Sequence, residues 1–336
     1  MKVLSHYDIG VVHRVTPLTG GDRRAPKVVV TAEKGTFLLK RRPRGRDNLA
    51  RVAFAQAVQK HLAKRSFPVA ALLATVDDHV TALSLENHIY EFFRFVDGSR
   101  CDGSPEATRE AGRQLAVFHK HLVRMTLPGV DPAGGGGAAD ACFHDSTVVR
   151  RHLKLISSGR RTGSRHKARA VVGSLLVRYD RSSDRVNRFG FKAWKRQVIH
   201  GDWHPGNLLF SGGRIVAVLD FDSIRVAPPP TDLANGMLQF SIVGDQTDPA
   251  GWPDHFDRVR LLDFLSGYRE VTRLSQRKLY SLVDLMIETM IAEAVLPVAA
   301  TGFFGQHSGL SFLDMIVRKT KWLRRHRREL TEAMLT

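Results

Sequence analysis
Short runs of apolar and β-branched residues dominate the first hundred positions. Val11 to Val15, Lys27 to Thr31 and Thr36 to Lys40 predict three strands, with Glu33-Lys34-Gly35 turning between the last two. The period then changes: between Asn48 and Lys64, Leu49, Val52, Ala53, Gln56, Gln59 and Leu62 recur at near-helical spacing and predict a helix. Pro68-Val69-Ala70 predicts a further strand, and His88 to Val96 (HIYEFFRFV) another after a turn at Leu85 to Asn87. Asp97-Gly98 closes that strand and sets the predicted boundary: a small, mainly β unit over 1–97 and a larger one over 98–336.

Beyond the boundary the helical period prevails. Pro105 to Arg124 carries Ala111, Leu115, Phe118 and Leu122 on one stripe, and Thr147 to Ile156 and Ala168 to Val177 predict two more helices. Gly134 to Gly137 is linker-like. From Asp254 onward the chain reads as helical, with one stripe through Leu261, Phe264, Leu265 and Tyr268 and another through Tyr280, Val283, Ile287, Met290, Ile291 and Ala294. The whole is an α+β chain, strands first and helices after.

One stretch interrupts this helical half. Gln197 to Ser223 reads QVIHGDWHPGNLLFSGGRIVAVLDFDS, two apolar runs joined by Ser211-Gly212-Gly213-Arg214 in the pattern of a tight hairpin. With those four residues as the loop, Phe210 faces Ile215 and Asn207 faces Val218. Asn207 and Asp220 then share a sheet face at the open end, roughly 7–8 Å apart. Pro205-Gly206 can fold the preceding loop so that Asp202 approaches the same place. A carboxylate and an amide oxygen, completed by substrate phosphates, suit Mg²⁺, a hard cation that keeps several waters. Asp202 is left to accept a proton from an attacking hydroxyl. The same residues also fit two other roles: Asp and Asn as local caps of an ordinary hairpin, or His200 and His204 as zinc ligands, for which no third ligand is recognisable nearby.

Composition narrows the class without naming it. Of 336 residues 43% are hydrophobic and 25% charged, ordinary for a globular chain, and two cysteines, Cys101 and Cys142, are too few for a disulfide scaffold. MKVLSHYDIG holds no apolar run long enough for a signal peptide. The most apolar stretch elsewhere, Leu282 to Ala300, carries Asp284, Glu288 and Glu293, which argues against a membrane span. A cytoplasmic location is expected. Lys and Arg number 51 against 33 acids, a net charge of +18. No nucleic-acid motif accompanies this excess or the basic tail RKTKWLRRHRREL, so a solvated surface rather than a specific nucleic-acid partner is expected.

His200-Gly201-Asp202 followed by Asn207, and then Asp220-Phe221-Asp222, resembles the catalytic core of the aminoglycoside phosphotransferase, choline kinase and homoserine kinase-like superfamily, distant relatives of the protein kinases. YEFFRFVDG and FPVA look closest to its homoserine kinase-like and spore-coat-associated branch. The resemblance implies a two-lobed kinase-like fold, ATP and Mg²⁺ as cofactors, and transfer of the γ-phosphate to a hydroxyl of a small molecule such as an amino alcohol, aminoglycoside or sugar. It implies Asp202 as catalytic base and Asn207 and Asp220 as Mg²⁺ ligands. Lys40 falls on the α- and β-phosphates, Gly20 and Gly21 in the phosphate-covering hairpin, and the backbone around Arg94 and Val96 against adenine. Asp232 would brace the catalytic loop, and Thr231 or Asp232 can cap the helix that follows. Asp222 is a candidate for acceptor contact, as are Asp284 and Glu288, one turn apart on a helix flank.

Two departures qualify the likeness. Kinase-like folds place a glutamate on the first helix to pair with the strand lysine, and no acid occurs between Asn48 and Lys64. Gln56 or Gln59 is left to hydrogen-bond Lys40. A second function therefore stands beside the first, a catalytically impaired nucleotide-binding protein serving as scaffold or sensor. Only seven residues separate Asp220 from Pro228, too few for a phosphorylatable activation segment.

Overall fold
The computed structural model describes residues 2–18, 25–45, 47–125, 143–158, 165–244 and 248–336. Two compact units result. One holds the chain up to Cys101 together with Gly206–Ile224, and the other holds the described parts of 102–205 together with Arg225–Thr336.

The first unit is built on a five-stranded antiparallel sheet of β1 (Val12–Pro17), β2 (Lys27–Ala32), β3 (Gly35–Arg41), β4 (Leu83–Leu85) and β5 (His88–Arg94), in the order β1-β2-β3-β5-β4. Tyr7, Val30, Phe37 and Phe92 are buried in its core, with Phe92 stacked on Phe37 at 5.2 Å between centroids and tilted against Tyr7 at 4.6 Å. Each such ring removes roughly 150–250 Å² from water. Helix α1 (Leu49–Ala63) starts where the sequence predicts, because the Asn48 side chain accepts from the Arg51 amide. Glu86 and Asn87 turn β4 into β5 with positive φ, and β4 is a strand the sequence did not signal.

A hairpin completes this unit, β7 (Leu208–Ser211) and β8 (Arg214–Val218). Its turn is two residues, Gly212 and Gly213, at φ 56° and 74°, the doubly positive backbone that a tight hairpin needs and that glycine adopts without cost. Phe210 pairs with Ile215 as predicted. A register shift between Leu209 and Phe210 then puts Leu208, not Asn207, opposite Val218. The hairpin clusters with the sheet rather than with the helices because Val218 N donates to Pro68 O at 2.8 Å, and Ser99 and Phe210 exchange backbone bonds at 2.8 and 2.9 Å. Pro68 to Ala70 is not the strand predicted for it: Val69 forms a single parallel bridge to Val218.

The second unit is helical, with α2 (Pro105–Leu122), α3 (Thr147–Ser157), α4 (Arg165–Arg188), α5 (Pro229–Ser241), α6 (Arg258–Val271), α7 (Gln276–Thr301) and α8 (Gly309–Leu335). A short pair, β6 (Gln197–Ile199) and β9 (Arg225–Ala227), and a two-residue pair, β10 (Phe303–Phe304) with β11 (His307–Ser308), complete it. α2 and α6 cross backbone to backbone through two glycines. A Cβ on Gly112 would lie 1.9 Å from Phe264 O, and one on Gly267 1.9 Å from Arg109 O, so only glycine permits the approach. α4 runs 11 residues beyond the predicted Val177, through a segment in which arginines replace the apolar signal. α7 is buried almost from Leu279 to Val298 and is the hub of the unit. Among the described residues no helix is long and apolar enough to cross a membrane.

Candidate active site
In the first unit Lys40 ends β3 with only 7% of its surface exposed. Its ammonium donates to both Asp222 oxygens at 3.0 Å and to Asp220 Oδ1 at 3.3 Å. Burial on its own would lower the Lys40 pKa, but the Asp220 and Asp222 charges outweigh it and hold the ammonium above its ordinary value. Arg42 stands two residues on, just past the end of β3. It reaches Asp222 Oδ1 at 2.9 Å and forks onto Glu91 at 2.7 and 3.1 Å. Glu91, the cross-strand partner of Lys40 on β5, also accepts from Gln56 Nε2 at 2.9 Å. Two cations therefore meet three carboxylates, and the cluster carries one net negative charge.

This geometry revises two expectations. Asp222 does not face an acceptor: its side chain is 4% exposed and committed to Lys40 and Arg42. Gln56 does not serve Lys40, because its amide is bonded to Glu91 and to Thr81. Glu91 and Arg42 were not singled out from sequence. The signal was there in Glu91, an acid between Ile89 and Phe93 on one face of an otherwise apolar strand, which requires a buried cation.

Asp220 opens the short turn Phe221–Ser223 with φ 56° and ψ 72°. For a residue bearing a Cβ this left-handed backbone costs of order 1–3 kcal/mol and persists where surroundings over-determine it. Leu219 N donates to Asn207 O at 2.8 Å, so the backbone of Asn207 lies directly beside the residue that precedes Asp220. The Asp220 side chain is 30% exposed, which leaves carboxylate surface for a further ligand. An amide oxygen and a partly open carboxylate next to net negative charge fit a hard divalent cation that shares its shell with phosphates. Among the described residues no three His, Cys, Asp or Glu side chains cluster to hold a metal by themselves.

Arg94 ends β5 with its guanidinium 5.4 Å from the Phe37 ring centroid and its amide bonded to Ala71 O, and Val96 follows, partly exposed. Gly20, Gly21, Gly134 to Gly137 and Cys142 lie outside the described residues.

Asp202 belongs to the second unit. The loop that carries it is held from below by Asp232, 1% exposed, whose carboxylate accepts from His200 N and Gly201 N at 2.9 Å each and from His119 Nε2 at 3.1 Å. Burial would raise the Asp232 pKa, yet the His119 hydrogen bond and the neighbouring cationic groups hold it below the usual carboxylate range. Asp232 thus braces the loop. It does not cap α5, which starts after Pro228 with no side-chain cap. Arg225 Nη1 donates to Gly201 O at 3.1 Å. His200 is fully buried against Phe118 and Trp203, 5.8 and 5.4 Å between centroids, which removes it as a zinc ligand. His204 Nε2 lies 3.8 Å from Asp202 Oδ2.

Glu293 on α7 is a residue the sequence did not flag for chemistry. It accepts from Asn235 and, at 2.8 Å, from Gln239. Burial, and then the Asp202 charge, push its carboxyl up to about 7. Asp284 and Glu288, proposed from sequence for an acceptor, are each 1% exposed and already satisfied. Asp284 pairs with Arg185 at 3.0 Å and Arg327 at 3.5 Å, and Glu288 accepts from His144 Nδ1 at 2.9 Å and from the Asp145 amide at 3.1 Å. Asp284 ties α7 to α4 and α8, Glu288 ties α7 to the turn before α3, and neither offers anything to a cationic acceptor.

Phosphoryl transfer asks for fixed positive charge on the phosphates, oxygen ligands for a divalent cation and a base for the nucleophile. The chain has a candidate for each, which defines the class as a kinase-like phosphotransferase. Residues 14–274 match the model of the phosphotransferase enzyme family (APH), and the chain belongs to that family. Three solved structures show the same α+β fold. An aminoglycoside phosphotransferase from Alicyclobacillus acidocaldarius matches with a TM-score of 0.64 at 15% identity, over 99% of this chain and 94% of that one. The amicoumacin kinase hAmiN, in complex with AMP-PNP, Ca²⁺ and Ami, matches with 0.64 at 15%, over 98% and 95%. The choline kinase LicA from Streptococcus pneumoniae matches with 0.57 at 15%, over 95% and 94%. No curated protein matches the sequence.

Proposed function
We propose that this phosphotransferase moves the γ-phosphate of ATP to a hydroxyl of a small amino alcohol, aminoglycoside or sugar-like acceptor. Asp202 takes the hydroxyl proton as the new P–O bond forms and the bond to the bridging oxygen of ADP breaks. Lys40 fixes the α- and β-phosphates, and the backbone around Arg94 and Val96 receives adenine. Asn207 and Asp220 would hold Mg²⁺, which when bound neutralises phosphate charge. The cofactor assignment is supported by the donor set of this chain and by the AMP-PNP and Ca²⁺ bound to the amicoumacin kinase.

The observation that carries the reading is the Asp222–Lys40 pair. A catalytically impaired scaffold or sensor is the rival because α1 has no acid for the lysine. Asp222, held in turn by Arg42, which Glu91 anchors, supplies that charge from the other end of the motif. The test is purified protein with Mg-ATP and a panel of amino alcohols, aminoglycosides and sugars. Transfer that falls ~10²–10⁴-fold in Asp202→Ala, with AMP-PNP affinity kept, supports the enzyme. Nucleotide binding without transfer to any acceptor, or a loss below tenfold, counts against it.

A further inference from the structure
In the second unit, α4 carries Arg178, Arg181, Arg185 and Arg188 at spacings of three, four and three, so all four stand on one helical face. Together with α7 and α8 that face lines a groove of about 650 Å³, in which seven arginines oppose two aspartates. One of the two, Asp284, is 1% exposed and already taken by Arg185 and Arg327. These pairs hold Arg185 through Nε and Arg327 through Nη1. Arg178 is fixed separately, donating to the Val317 carbonyl and to Thr320 Oγ1 at 2.8 Å. Burial, with the Arg324 charge added, pushes its guanidinium below its ordinary value. Among the described residues Arg181, Arg188 and Arg324 take part in no ion pair.

Like charges at helical spacings of three and four repel by a few tenths of a kcal/mol per pair, and a groove of one sign concentrates its field. A fold that crowds seven arginines against two aspartates here leaves most of that charge unneutralised until an anion enters. Guanidinium forks match phosphate oxygens in pairs. The groove's volume falls in the range of small-ligand sites, ~300–1,000 Å³, rather than of an extended track for a polymer backbone. We propose that this groove binds a compact ligand carrying two or more phosphate groups, a site separate from the residues assigned to transfer. The source is a free oligophosphate or a phosphorylated small metabolite.

Calorimetry on the full chain tests this with two probes, inorganic tripolyphosphate and fructose 1,6-bisphosphate, each titrated into wild type and into the double variant Arg181→Ser/Arg324→Ser. Both positions are exposed, so melting midpoint and basal phosphotransfer stay unchanged. The expected result is saturable binding of at least one probe, weakened tenfold or more in the double variant; the probe bound distinguishes the two sources. Equal binding to both proteins places the anion elsewhere and overturns the proposal, as does no binding of either probe. Binding of a single-stranded oligonucleotide that is lost in the variant, with neither probe bound, overturns it in favour of nucleic acid.

Discussion

Asp222→Asn keeps the size of the side chain and removes one charge from a cluster whose members other than Asp220 are nearly buried. In the wild type the Lys40 ammonium has two contacts at 3.0 Å to Asp222 and a looser one at 3.3 Å to Asp220. Arg42 has its fork on Glu91 besides Asp222. Removing one partner of a buried ion pair costs about 3–5 kcal/mol, because the other charge is left desolvated. Arg42 keeps Glu91 and Lys40 keeps Asp220, so the lower end, about 3 kcal/mol, is expected in denaturant unfolding. The functional effect follows from where Lys40 turns. Its remaining partner is the proposed metal ligand, so the ammonium competes with the divalent cation for Asp220.

The variant should therefore need more Mg²⁺ for half-maximal rate and lose about 10²–10³ in kcat, the scale for losing one preorganised donor to the phosphates. Transfer rate against Mg²⁺ concentration reads the first effect, and single-turnover kinetics with saturating nucleotide reads the second. A Lys40→Met/Asp222→Asn cycle isolates the pair, and the two single losses should fall well short of adding. A variant that unfolds more easily but keeps wild-type kcat and Mg²⁺ dependence would show Asp222 to be a packing element only. The substitution of Asp222 for the absent helix acid would then be wrong.

Three further outcomes are expected. The Asp232 carboxyl is depressed in the fold, so its contribution is complete above the unfolded value of about 3.9 and is lost as pH falls through the lower folded value. Asp232→Ala should flatten acid unfolding in that window, cost about 1–3 kcal/mol for each buried loop donor orphaned, and lower kcat by loosening the Asp202 loop. Glu293 has the opposite sign: its carboxyl is raised to about 7, so wild-type stability declines between about pH 4.5 and 7, and Glu293→Gln should remove that slope, of order 2–3 kcal/mol, as followed by thermal melts across pH. Lys319, fully buried, donates to the carbonyls of Val243 and Pro253 at 2.8 Å and of His255 at 3.3 Å; Lys319→Met should cost on the order of 3 kcal/mol in unfolding without changing kcat.

The parts of the fold legible in the sequence were those where one local rule decides. The helix between Asn48 and Lys64, the alternating strands of the first sheet and the tight turn within Ser211-Gly212-Gly213-Arg214 each follow from backbone preferences of a few residues. The Asp202 loop was legible because its spacing to Asn207 and Asp220 resembles a known core. What escaped depends on partners far apart in sequence. The hairpin register slips by one because the chain takes up an extra residue on β8, which moves Asn207 from opposite Val218 to a backbone bond with Leu219. α4 reads as ending at Val177 because its continuation shows arginines where a core stripe would be, and those arginines face a groove rather than solvent at large.

Asp222 is the instructive case. From sequence, Asp220 and Asp222 look alike, two acids flanking Phe221 in a motif whose first member holds metal. The left-handed turn at Asp220 separates them, leaving one carboxylate 30% exposed and driving the other to 4%, against two cations at the end of β3. A charge can be buried there only if Lys40 and Arg42 arrive with it, and Arg42 only if Glu91 and Gln56 do. The charge that α1 does not offer Lys40 therefore comes from Asp222 after β8, a partner that only the folded chain reveals by closing a sequence separation of 182 to 3.0 Å.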